Sequence, residues 1–137
     1  MLGAATVIVD DRHRVLLVKH SYGERNWELP GGGGEARESV EETARREARE
    51  EVGLELGEVR LTGVYWEPRV DMHHFVFLAG PTGTPRIADS KEITDIGWFS
   101  RDALPRPVSD FTIMRIDDAF AQRPAAVTVI EARVWLR

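Results

Sequence analysis

The chain has 137 residues, 42% hydrophobic and 30% charged, a length and balance that describe one globular domain over residues 1–137 and exclude two catalytic domains. It has no cysteine, which excludes disulfides, thiolate metal sites, iron–sulfur clusters and a cysteine nucleophile. The net charge of −5 is concentrated in residues 35–58, where nine glutamates face four arginines; such a patch suits a divalent cation and makes nucleic acid an unlikely partner, since that would need clustered Lys and Arg.

The apolar run Met1–Val9 stops at Asp10-Asp11 and has no basic leader. It is far short of the roughly 20 residues that cross a bilayer, so no membrane anchor or signal peptide is expected, and a cytoplasmic address is. Residues 4–9 and 15–19 are β-branched and aliphatic around Asp10-Asp11-Arg12-His13, a pattern that predicts two antiparallel strands joined by a polar turn. After Trp27-Glu28-Leu29 comes Pro30 and the run Gly31–Gly34, where regular structure is expected to stop. Backbone N–H groups of Gly31, Gly32 and Gly33 are candidates to cradle a phosphate, although a glycine-rich stretch is also an ordinary turn.

A helix should follow. Ser39 with Glu42 forms a capping box, and Gly53 supplies a left-handed stop. Strand-like runs return at 59–66 and 73–79 around a turn at 68–71. Residues 96–100 look extended, 101–104 resemble a short helical turn, Asp110 could cap a second helix to about Gln122, and 127–136 reads as a final strand. That strand could occupy an internal sheet position or offer an edge to a second copy, so a homodimer is compatible with it. This order indicates an α/β fold, a sandwich with a mixed β-sheet rather than a doubly wound parallel one.

On the first helix, Glu47, Glu50 and Glu51 share an arc of about 100° beside the apolar stripe of Val40, Ala44, Ala48 and Val52. Most acidic residues here have an arginine three or four positions away, as on any solvated helix. Glu47 and Glu51 have none at those spacings. Either the helix is merely solvated, or an oxygen-seeking cation, Mg²⁺ or Mn²⁺, compensates the like charges.

Gly32, Glu38, Arg46-Glu47-Ala48-Arg49-Glu50-Glu51-Val52-Gly53-Leu54 resembles the Nudix box, G-x5-E-x7-R-E-U-x-E-E-x-G-U, with every fixed position filled. Ala48 is smaller than the usual aliphatic, and Arg37 stands where many members have glycine. Trp27-Glu28-Leu29-Pro30-Gly31-Gly32 is similar to the family's lead-in, and Trp98-Phe99-Ser100 with Leu104-Pro105 to its later strand and turn. The resemblance covers about residues 4–105.

It implies an α/β/α sandwich and Mg²⁺-dependent hydrolysis of a nucleoside diphosphate linked to another group. Glu47, Glu50 and Glu51 are then the metal and water-activating carboxylates, Arg46 orients them, and Glu38 binds or supports a further metal. Gly32 shapes the loop and Gly53 ends the helix. Glu92, six residues before Trp98, is a candidate metal ligand or base from a later loop, although a solvated loop carboxylate beside Lys91 is the more ordinary reading. Tyr22, Trp27, Trp66 and Trp98 are candidates to stack on a base, though core or strand packing accounts for each more simply; Lys19, Arg25 and Arg69 are candidates to meet phosphate, though single surface cations are usually just solvated. Pro68, fifteen residues after Gly53, resembles ADP-ribose-cleaving members; a nucleoside triphosphate pyrophosphohydrolase fits equally. Rival readings are a non-catalytic nucleotide-binding or regulatory module and an RNA 5′-end pyrophosphohydrolase, the first disfavoured by the filled box and the second by the acidic balance.

Overall fold

The computed structural model describes all residues, 1–137. Ten strands and two helices follow in order: β1 Leu2–Ile8, β2 Val15–His20, β3 Trp27–Glu28, β4 Gly31–Gly33, α1 Val40–Val52, β5 Leu56–Glu67, β6 Met72–Pro81, β7 Ile93–Phe99, β8 Val108–Ser109, α2 Asp110–Phe120, β9 Val127–Val129 and β10 Trp135–Leu136. They form two mixed five-stranded sheets, β4-β1-β6-β5-β9 and β10-β8-β3-β2-β7. The first contains the parallel pair β1/β6 and the antiparallel hairpin β5/β6. No helix is long and apolar enough to cross a membrane.

Strands β1 and β2 read as continuous apolar runs because both their faces are covered. Val15 and Leu17 join a core with Phe111, Ile116 and Ala119 of α2. Leu16 and Val18, one residue out of phase, join a second core with Ala48 and Val52 of α1. The period of two thus places one helix on each side of the sheets, giving the expected sandwich.

Four local expectations change. The expected antiparallel pair of β1 and β2 is reduced to a single bridge, Val9 to Val15, because the two strands enter different sheets and pair there with other strands. Regular structure does not stop at the glycines: Gly31–Gly33 is strand β4, antiparallel to β1 with Ala4 opposite Gly32. The final strand is two, β9 beside β5 in one sheet and β10 beside β8 in the other, because the chain crosses between sheets and buries Ile130 on the way. Residues 101–104 make a single bonded turn, Ala103 N to Ser100 O, and the second helix is capped by Ser109 rather than Asp110. Pro68–Val70 is one 3-10 turn linking β5 and β6. Strand β9 lies at a sheet edge with Val127 and Val129 exposed.

Candidate active site

Helix α1 is fixed at both ends as its sequence demands. Ser39 Oγ accepts from the Glu42 N–H at 3.1 Å while Glu42 Oε1 accepts from the Ser39 N–H at 3.1 Å, and Gly53 takes φ 67°. The buried stripe Ala44, Ala48 and Val52 turns Glu47 and Glu51 toward β4. Glu51 is only 4% exposed and accepts the Gly31 N–H on Oε1 at 2.9 Å.

Gly31 and Gly32 are needed for close approach rather than for positive φ, which none of Gly31, Gly32 or Gly33 adopts. A Cβ on Gly31 would lie 2.5 Å from Ala4 O, and one on Gly32 would lie 2.5 Å from Glu47 Oε1. Strand β4 is therefore a bare main-chain rail against which the carboxylates rest.

Arg46 organises the acidic cluster. Its Nε donates to Glu38 Oε2 at 2.7 Å, and its Nη2 to Glu38 Oε1 at 3.0 Å and Gly33 O at 2.9 Å. Its Nη1 reaches Glu47 Oε1 at 3.0 Å and Glu50 Oε2 at 3.1 Å. Glu47 is thus paired, contrary to the expectation from helix spacing. Both oxygens of Glu38 are taken, with Thr43 Oγ1 and the Glu35 N–H also donating to Oε1, and chiefly the Arg46 and Thr43 bonds hold its carboxyl down at about 2.

Glu51 is the opposite case. Burial pushes its carboxyl up to about 9; the Gly31 N–H opposes this, while Glu47 and Glu92 add like charge. Burial likewise raises Glu47, against the pull of Arg46. Glu92 is therefore brought near Glu51. It sits at the end of a loop tied to the α1 C-terminus by Arg86 N to Val52 O and Ala88 N to Glu51 O. Ser21 holds its other side through Ser21 N to Glu92 O at 2.8 Å and Oγ to Lys91 O at 2.6 Å.

An oxygen-only donor set in which a buried acid must otherwise keep its proton fits a hard divalent cation. No three His, Asp or Glu side chains converge on one point as they stand; Glu50 is turned outward to Arg46.

A cavity of about 200 Å³ opens beside β4. Tyr22 lines it, stacked on His20 with ring centroids 4.7 Å apart. The other aromatic candidates lie elsewhere: Trp27 packs edge-on against Phe99, Trp66 stacks on His73, and Trp98 packs against the α1-side core. Of the basic candidates, Arg69 approaches Glu67, and neither it, Lys19 nor Arg25 lines the cavity. Arg115 and Arg133 do, and sequence reasoning missed both. The signal for Arg115 was present: it falls among Phe111, Ile116 and Ala119 on the buried face of α2, where a cation requires a partner.

The fold, the capped acidic helix and the glycine rail define the class, and the NUDIX domain profile matches residues 1–118. The chain belongs to the Nudix family and is a Nudix hydrolase. It is 32% identical over 117 residues to a putative 8-oxo-dGTP diphosphatase of Bacillus subtilis, covering 80% of this chain and 78% of that protein. It is 34% identical over 116 residues to the 8-oxo-dGDP phosphatase NUDT18 of Mus musculus, covering 80% of this chain but only 35% of that longer protein. The crystal structure of a MutT NUDIX hydrolase from Burkholderia pseudomallei superimposes with a TM-score of 0.77 at 31% identity, over 85% of this chain and 95% of the other.

Proposed function

We propose that this protein hydrolyses the diphosphate linkage of a nucleoside diphosphate joined to a further group, with Mg²⁺, or Mn²⁺ in its place, held by Glu47, Glu50 and Glu51. The observation that carries this is Glu51, buried beside Glu47 and Glu92 with no basic partner. A bound cation would neutralise phosphate oxygens and acidify water. Arg46 positions Glu47 and Glu50, and Glu38 acts through Arg46 by fixing its guanidinium. Of the expected phosphate cradle, Gly31 and Gly32 are taken up by close contact with β1, Glu51 and Glu47, and Gly33 alone keeps open space where the diphosphate can meet the main chain. Glu92, on a loop bonded at both sides, takes the proton from the attacking water in this reading. The relatives named above favour a nucleoside di- or triphosphate, an oxidised guanine nucleotide in particular, over ADP-ribose.

Turnover of 8-oxo-dGTP, 8-oxo-dGDP, dGTP and ADP-ribose, measured side by side with Mg²⁺ and with chelator, tests the proposal. Chelator should abolish hydrolysis and Mg²⁺ restore it. Near-normal turnover of Glu51→Gln would defeat the assignment.

A further inference from the structure

Glu28 and Arg115 form an ion pair at the base of the cavity, and the pair is half used. Glu28 Oε1 accepts three hydrogen bonds, from the Leu29 N–H at 2.8 Å, Thr112 Oγ1 at 3.0 Å and Arg115 Nη2 at 2.6 Å. No hydrogen bond reaches Oε2. Arg115 spends Nε on Phe111 O at 3.4 Å and Nη2 on Glu28 and on Thr112 Oγ1, the last at 3.1 Å. Its Nη1 has no partner.

Both residues line the cavity. The one unpartnered side-chain polar atom sealed from solvent is Thr6 Oγ1, so neither Glu28 Oε2 nor Arg115 Nη1 is wholly sealed. Arg115 is otherwise 4% exposed and lies 3.9 Å above the Phe111 ring. Burial works against the Glu28 charge, but Arg115, the Leu29 N–H and Thr112 hold its carboxyl below the usual range. Oε2 is thus a pure acceptor, Nη1 a pure donor, and both are immobilised by bonds that leave them free.

An ionised acceptor beside a cationic donor complements an N–H next to a carbonyl oxygen. Nucleobases that carry such a lactam edge include guanine, through N1–H and O6, and 8-oxoguanine, which has a second at N7–H and O8. Adenine has no carbonyl oxygen. Arginine pairs well with base carbonyls, and carboxylates accept from base N–H groups. The stacked His20–Tyr22 pair supplies a wall for a planar ring, and about 200 Å³ suits one ring system rather than a whole nucleotide.

We propose that Glu28 and Arg115 are the specificity residues of this enzyme, reading the lactam edge of a guanine-type base with Glu28 Oε2 as acceptor and Arg115 Nη1 as donor. The inference rests on the nucleotide reading above.

Its test is calorimetric binding of dGMP, 8-oxo-dGMP, N1-methyl-dGMP and dAMP to the full chain, which needs no turnover. At least one of dGMP and 8-oxo-dGMP should bind roughly 10- to 100-fold more tightly than dAMP. Loss of that preference with N1-methyl-dGMP assigns the N1–H edge; tight binding of 8-oxo-dGMP alone assigns the oxidised edge. Glu28→Gln retains Oε1 but replaces the free acceptor with an NH₂ donor, so a folded variant should lose the preference. Equal binding of dAMP, no binding of either guanine monophosphate, or an unchanged preference in folded Glu28→Gln would overturn the inference. A protein that binds guanine monophosphates selectively yet hydrolyses no nucleotide would defeat the proposed function and leave this inference standing.

Discussion

Arg46 Nη1 lies 3.0 Å from Glu47 Oε1, the carboxylate of its own neighbour in the chain. Helix-surface arithmetic considers partners three and four positions away and assigns Glu47 none. The arginine reaches it because Nε and Nη2 are held by Glu38 and Gly33 O, which curls the guanidinium back over its own turn. Glu51 alone of the three then lacks a cation, and it is the most buried.

This arrangement makes Arg46 a positioning residue whose fork matters more than its charge. Arg46→Lys should lower kcat/KM by about 10- to 100-fold and raise the Mg²⁺ concentration needed for half-activity, because an ammonium cannot hold Glu38, Glu47 and Glu50 at once. Arg46→Ala should do more. Steady-state kinetics across a Mg²⁺ titration reads both, and a lysine variant with unaltered Mg²⁺ response would refute the role.

Adjacent glycines should fail in different ways. A Cβ on Gly31 meets main-chain atoms, Ala4 O at 2.5 Å and Ala5 Cα at 2.7 Å, so Gly31→Ala should destabilise the fold by roughly 1 to 3 kcal/mol. On Gly32 it meets only the end of the Glu47 side chain, which can move. Gly32→Ala should therefore keep most stability and lose activity by displacing Glu47. Thermal melts paired with turnover separate the two outcomes.

Glu51 sets a stability trend with a definite sign. Its carboxyl is pushed up to about 9 in the folded chain against an ordinary 4.5. The folded state keeps a proton there that the unfolded state has released, so in the absence of metal this group's contribution falls as pH rises from about 4.5 through about 9. Glu51→Gln keeps an acceptor for the Gly31 N–H and removes the titration. Without metal at pH 8 it should melt several degrees above the parent, while losing at least about 100-fold in Mg²⁺-dependent turnover. Melting at or below the parent temperature at pH 8 would contradict the buried-charge account.

The sequence made the helix, its caps and the acidic arc legible because they follow local rules: a capping box, a left-handed glycine and a period of 3.6 residues. The glycine run looks like a loop because glycine propensity is a local signal. The strand forms through pairing with β1, and the missing Cβ atoms answer to Ala4 and Glu47, which are distant in sequence. The burial of Arg115 is legible on the apolar face of α2, but its partner and that of Arg133 are invisible for the same reason. Their partners, Glu28 and Glu67, lie 87 and 66 residues away, and no spacing rule spans that distance. Glu38, eight residues before Arg46, joins the cluster through both carboxylate oxygens, and its capture by Arg46 is a packing result.

The loop that carries Glu92 supports a last prediction. Its two main-chain bonds to the α1 C-terminus and the Ser21 contacts hold the backbone at fixed distance from Glu51. Asp89 Oδ1 also accepts from the Lys91 N–H at 3.2 Å and the Glu92 N–H at 3.3 Å. A base so placed should govern kcat and leave substrate affinity alone. Glu92→Gln should lower kcat by about 10²- to 10⁴-fold with little change in KM. Ser21→Ala removes only the bond to Lys91 O, since Ser21 N still holds Glu92 O, so it should lower kcat by a few-fold. If Glu92→Gln retains the rate, the proton goes to another carboxylate, and Glu47, raised by burial and held by Arg46, becomes the base.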